Sequence, residues 1–147
     1  AHGVLIQGDA NATLDNVTIE NVERFGIYAP SSITGTYALS NVTVKNAKDY
    51  GVHLSGQGDY TVNNLNLIDN RYGGYWNPRD GKGTIHNFGV TGETKEESSL
   101  FVEGEIPFDT TFSDDVVVRN TLTVGADATL TLLPGKSVYG LSRASRL

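Results

Sequence analysis

Three large flat side chains recur at nearly constant spacing: Tyr28, His53 and Trp76, 25 and 23 residues apart. Each stands two residues after a glycine, in Gly26-Ile27-Tyr28, Gly51-Val52-His53 and Gly74-Tyr75-Trp76. Rings in a row on a rigid surface suit the apolar faces of sugar rings, with the Tyr and Trp polar tips free to hydrogen-bond. Carbohydrate is therefore the partner expected for this stripe. Exposed aromatics also favour strands and stack on one another with no ligand present. Charged residues gather close by. Arg71 precedes the third glycine, and Asn77, Arg79, Asp80 and Lys82 follow Trp76 in NPRDGKG. A lyase acting on uronates needs an Arg or Lys to take a proton beside a carboxylate, and an acidic cluster for calcium. If the chain is catalytic, Arg71 and Arg79 fit that part, with Asp49 or Asp80 assisting. A glycosidase needs two carboxylates placed across the bond, and Asp49 and Asp80 are the pair near the stripe. The same charges also make an ordinary solvated rim.

What must position these residues is a repeat. The chain reads LDNVTIENVERFGIYA from Leu14, LSNVTVKNAKDYGVHL from Leu39 and VNNLNLIDNRYGGYWN from Val62, with a weaker copy, IHNFGVTGE, from Ile85. Asn16, Asn41, Asn64 and Asn87 are 25, 23 and 23 residues apart, and Gly3, Gly26, Gly51 and Gly74 keep the same phase. A fixed period in the low twenties marks a solenoid. Within each copy apolar residues alternate, as in Leu14, Val17 and Ile19 against Leu39, Val42 and Val44. Period-two alternation predicts half-buried strands. The Asn lies between two short strands, where it tolerates left-handed backbone and its amide meets the next coil's Asn. An amide ladder is the expectation, and Asn41→Ala should cost about 1–3 kcal/mol if that amide is buried and bonded. After each glycine, Val4, Ile27, Val52 and Tyr75 are expected inside with Ile6, Ala29 and Leu54. Leu5, Tyr28, His53 and Trp76 are expected outside, stacked about 4.8 Å apart.

The pattern I-x-N-x-x-I-x-N-x-x-x-x-G-I-x-L resembles the repeat of right-handed parallel β-helix proteins of the pectate-lyase-like kind. Leu14 to Ala29 and Leu39 to Leu54 carry it well, and Val62 to Asn77 carries it with Asp69 in the second Asn place. In the fourth copy Gly92 replaces that Asn and Glu97 stands where the glycine belongs. The resemblance covers about residues 3–102. It implies an all-β, right-handed parallel β-helix of about four coils, and it implies that the stripe lies on the face where such proteins commonly carry a polysaccharide cleft. The family includes pectin and alginate enzymes, tailspikes and non-enzymatic surface proteins, so it does not fix an activity. The pectinase motifs Asn-Thr-Asp, Gly-His-Gly and Arg-Ile-Lys are missing.

The remaining sequence sets bounds. The 147 residues carry 17 glycines, no cysteine, no methionine and a net charge of −6. The acidic balance gives no footprint for nucleic acid, and no apolar run is long enough to span a bilayer. The chain begins inside a repeat, so further coils are expected upstream. His2, His53 and His86 are too scattered for a metal triad, and the sequons at Asn11, Asn16 and Asn41 read as structural accidents, the latter two coinciding with the turn ladder. From Glu93 to Asp115 the period breaks, with eight acidic residues against one lysine. That stretch reads as a solvated junction. Calcium is the one cofactor it would suit, through Glu103, Glu105, Asp109, Asp114 or Asp115. Two parts are expected: repeats over 1–103, then a β-rich junction over 104–147 that opens a second solenoid. In the latter, ATLTLLPG resembles a segment of large bacterial surface proteins. The reading is a non-catalytic, adhesin-like binding segment of a secreted or cell-surface protein. The alternatives are a fragment of a polysaccharide lyase or glycoside hydrolase, and a homo-oligomer stacking coil end to coil end into a filament.

Overall fold

The structure, a computed structural model, describes residues 1–78 and 83–141. Its strands in chain order are β1 (Val4–Leu5), β2 (Ala12–Asp15), β3 (Thr18–Glu20), β4 (Ile27–Ala29), β5 (Tyr37–Lys45), β6 (Tyr50–Leu54) and β7 (Tyr60–Ile68). There follow β8 (Tyr72–Trp76), β9 (Gly83–Thr91), β10 (Leu100–Ile106), β11 (Thr110–Phe112), β12 (Val116–Val124), β13 (Leu130–Leu132) and β14 (Val138–Gly140). No strand pairs with its sequence neighbour. One seven-stranded sheet runs β1-β4-β6-β8-β10-β12-β14, another runs β2-β5-β7-β9 with β3 also on β5, and β11 pairs β13. All pairing is parallel. This is the expected parallel β-solenoid. It makes about six turns rather than four, because strands continue the first sheet well past Glu103. β10 runs through residue 104, and β12 and β14 extend the same sheet.

The core is a column between the sheets. Ile27, Val52, Leu39, Val62, Ile85, Val44, Leu67 and Leu100 are each 1% exposed or less. Burying such a side chain contributes about 1.5–3 kcal/mol relative to leaving it in water. Period-two alternation generates this column, since one slip would turn every apolar residue outward. Glycine permits the coils to close. A Cβ on Gly26 would sit 2.2 Å from Val44 Cγ1 and 2.4 Å from the Gly51 carbonyl oxygen. Here glycine serves close approach, not unusual backbone.

Unusual backbone falls to asparagine. Asn16, Asn41, Asn64 and Asn87 have φ of 54°, 52°, 59° and 53°, and Asn21, Asn46 and Asp69 repeat this at the second turn place with 57°, 55° and 50°. The amides do bond between coils: Asn64 Nδ2 donates to Asn41 Oδ1 at 2.7 Å, and Asn46 Nδ2 to Asn21 Oδ1 at 3.1 Å. Asn41 Nδ2 reaches Asp15 Oδ1 at 3.2 Å. All these amides are exposed, so the condition of a buried amide is not met. The turn bends outward, so the ladder runs along the solvent side. The buried amide is Asn70, fully enclosed, which accepts from Ala47 N–H and donates to the Val44 carbonyl, both at 2.9 Å.

Left-handed backbone then dominates the role of Asn41. Asn41→Ala is expected to cost about 1–2 kcal/mol, the usual penalty for an L-residue there. Asn41→Gly, which keeps the backbone and loses the same amide, is expected to cost less. Denaturant unfolding of both variants checks this, and equal losses would assign the role to the amide instead.

Candidate functional site

The outward face of the seven-stranded sheet carries the rings. Pairing aligns Leu5, Tyr28 and His53 as expected, then Tyr75, Phe101, Val117 and Tyr139. Trp76 does not belong to this row, and its predicted place is corrected. It pairs with Leu54, is 0% exposed, and donates from Nε1 to the Tyr60 hydroxyl at 2.6 Å. Tyr75, expected inside, takes the outward place. The cause is a turn one residue shorter than its neighbour. Arg71 N–H bonds to the Ala47 carbonyl as Lys48 N–H bonds to that of Val22, yet Tyr72 pairs with Tyr50, so Asp49 has no counterpart. The glycine beside Gly51 is Gly73, whose carbonyl a Cβ on Gly51 would meet at 2.6 Å. Gly74 lies inside opposite Val52. A signal for this stood in the sequence: an aromatic residue precedes the repeat glycine in Phe25-Gly26, Tyr50-Gly51 and Tyr72-Gly73.

Those aromatics form a second row that the sequence reading missed. His2, Phe25, Tyr50 and Tyr72 lie beside the first row and interlock with it. Ring centroids are 4.8 Å apart for Phe25 and Tyr28, 5.4 Å for Phe25 and His53, and 5.0 Å for Tyr50 and Tyr72. His53 stacks on Tyr75 at 4.4 Å, with 29° between planes. The result is a close-packed aromatic pavement. Tyr75 and Phe101 are only 7% and 8% exposed, and Tyr28 and His53 are half-buried.

Packing alters the titrating groups. Burial lowers the His53 pKa, since the imidazolium would lose water among the rings. Burial raises Tyr50 for the same reason with the opposite sign of charge. Tyr75 is pushed up to about 12, first by burial and then by its hydrogen bond to Glu103, whose negative charge opposes a phenolate. The Tyr75 hydroxyl donates to Glu103 Oε1, and Asn120 Nδ2 donates to Glu103 Oε2. At neutral pH the face therefore offers neutral hydroxyls and neutral imidazole rather than a strong base.

The candidate catalytic residues come together only in part. Arg71 is exposed, with its guanidinium carbon 5.3 Å from the Tyr72 ring centre. Asp49 accepts the Tyr50 N–H at 3.1 Å. Arg79 and Asp80 lie outside the described residues. Carboxylates of the acidic stretch bond to neighbouring coils. Asp109 accepts from Thr129 N–H at 2.7 Å, Asp115 from Ser137 N–H at 2.9 Å, and Asp114 from Val90 N–H and Lys136 Nζ, each at 3.0 Å. Each carboxylate thus ties one coil to the next. Among the described residues no three His, Asp or Glu side chains group as a cation site, and no helix is long and apolar enough to cross a membrane.

Parallel coils and a ring-bearing sheet face define a β-helix repeat protein. The chain matches the family described as "Right handed beta helix region" over residues 2–122 and belongs to it. The solenoid is accordingly right-handed. No curated protein and no solved structure matched the chain.

The raised Tyr75 pKa has a consequence at alkaline pH. Between the ordinary value of about 10 and the folded value of about 12 the folded state holds the extra proton. Stability present below pH 10 therefore declines across that window. Tyr75→Phe removes the titrating group, so denaturation midpoints measured against pH are expected to fall less steeply there than in the parent.

Proposed function

We propose that this chain is a non-catalytic binding segment of a secreted or cell-surface protein, and that it contacts carbohydrate through the outward aromatic face. Tyr28 and His53 are the principal contacts, with Tyr75 in the place the sequence reading gave to Trp76. The observation that carries this is the continuous row of flat side chains, Tyr28-His53-Tyr75, held one coil apart by backbone pairing. A rigid apolar surface with hydroxyl edges matches a sugar ring, which has a C–H face and equatorial hydroxyls. Little side-chain freedom is left to lose on binding, since the rings already pack together. The neutral state favoured for His53 and Tyr75 suits contact rather than proton transfer.

The test is a titration with neutral and acidic oligosaccharides followed by calorimetry, together with an assay for new reducing ends and unsaturated uronates. Saturable binding without chain shortening is expected. Tyr28→Ala should weaken it by roughly fivefold or more, about 1 kcal/mol for a lost ring contact. Binding that ignores Tyr28→Ala would remove the face from the account, and chain shortening would make the protein an enzyme.

A further inference from the structure

His53 is the most enclosed titrating ring of the first row. Four rings meet it, with centroids at 4.4 Å for Tyr75, 5.3 Å for Tyr28, 5.4 Å for Phe25 and 5.8 Å for Tyr50. Backbone pairing sets it between Tyr28 of β4 and Tyr75 of β8. Its Nδ1 is buried and has no hydrogen-bond partner. A neutral imidazole tolerates this, because one ring nitrogen carries no proton and needs no acceptor. An imidazolium carries a proton on both nitrogens. One charged donor would then stand among the rings with nothing to accept from it. An unmade bond costs more for a charged group than for a neutral one.

The charges around His53 are already engaged elsewhere. Asp49, in the turn before β6, accepts the Tyr50 N–H. Both oxygens of Glu103, on β10, are taken, one by the Tyr75 hydroxyl and one by Asn120. Arg119, on β12, lies 5.8 Å from the centre of the Tyr75 ring and donates to the Tyr50 hydroxyl at 3.3 Å. Arg24 lies 5.3 Å from the centre of Phe25. Burial comes first in holding the His53 pKa down, and Arg119 adds to it, while contact with its own backbone, Asp49 and Glu103 act the other way. His2 shows the same features at the far side of the cluster. Its Nδ1 is also buried and unpartnered, and its ring lies 5.2 Å from Phe25 and 5.0 Å from Tyr28.

We propose that the aromatic face is an acid-sensitive switch, in which protonation of His53 drives its ring out from between Tyr28 and Tyr75 and breaks the continuous row. Above the ordinary histidine value of about 6.5 the imidazole is neutral and the rings stay packed. An open form, with the imidazole in water, takes a proton more readily than the closed one. Falling pH therefore moves the balance toward the open form. The change is local, because β6 keeps its backbone pairing to β4 and β8 on either side. The inference concerns the face itself and stands whether or not its ligand is a sugar.

The experiment follows the histidine and tyrosine rings by NMR between about pH 8 and about pH 5, the range in which histidine changes charge, with Trp76 emission recorded alongside. The His53 ring is expected to titrate below about 6.5. Its through-space contacts to Tyr28 and Tyr75 are expected to vanish with the same midpoint. Trp76, enclosed in the core, should not respond, which separates local opening from unfolding. His53→Phe keeps a flat ring and removes the charge, so the Tyr28 and Tyr75 rings should stay fixed across the range. Arg119→Gln, at an exposed position, removes the opposing cation and should move the midpoint to higher pH. His2→Phe should leave the transition in place. Contacts that survive protonation of His53, or a ring still neutral at about pH 5, would overturn the proposal. A midpoint above about 6.5 would do the same, since the ring faces would then be holding the cation. So would the same transition in His53→Phe, its loss in His2→Phe, a lower midpoint in Arg119→Gln, or a Trp76 change that tracks the rings.

Discussion

Parallel backbone pairing from each coil to the next is the constraint on which the rest of this molecule depends. A strand in a parallel ladder has no freedom to choose which way its side chains point. Once Tyr50 pairs with Tyr72, Tyr75 must lie outside and Trp76 inside, whatever their hydropathy prefers. The same rule stacks Tyr28, His53, Tyr75 and Phe101 at one coil per ring. Turn residues serve this rule. Asparagine supplies left-handed backbone at the same corner of successive coils, and glycine lets neighbouring strands close over the core.

The aromatic face follows from that regularity. Rings placed one coil apart are near enough to pack on one another, so two rows become a continuous surface. Packing withdraws the rings from water, which keeps His53 and Tyr75 neutral. It also creates seats for cations. Arg24, Arg71, Lys95 and Arg119 lie on rings of this surface, while the other described cations are spent on bridges between coils and turns. An acidic protein thus presents one face of opposite character.

The fold was largely legible in the sequence, because the Asn and Gly phases and the alternation within copies are local patterns with a direct geometric meaning. The inward set Ile27, Val52, Ala29 and Leu54 and the outward pair Tyr28 and His53 could be read from it. The reading failed at Gly73-Gly74, where two glycines allow two alignments and counting alone chose the wrong one. A turn one residue shorter left no mark in composition. Turns beyond the fourth copy were hidden for another reason. There the Asn corners give way to Ser113, Asp114 and Asp115, whose side chains bond to the backbone of β9 and the following coil. An acidic stretch that looked like a junction is a different chemistry for the same corner. The cation seats were illegible, since Arg119 reaches Tyr50 across 69 residues of sequence.

Trp76 reports most directly on the coil phase that places every other side chain. It is the sole tryptophan, so its emission and its quenching by acrylamide need no deconvolution. Enclosure in the core beside Tyr60 predicts emission well to the blue of free tryptophan and little quenching until the protein is unfolded. Red-shifted, readily quenched emission from the folded protein would put Trp76 on the outer face. The ladder through Tyr75 and the cation seats around it would then be wrong.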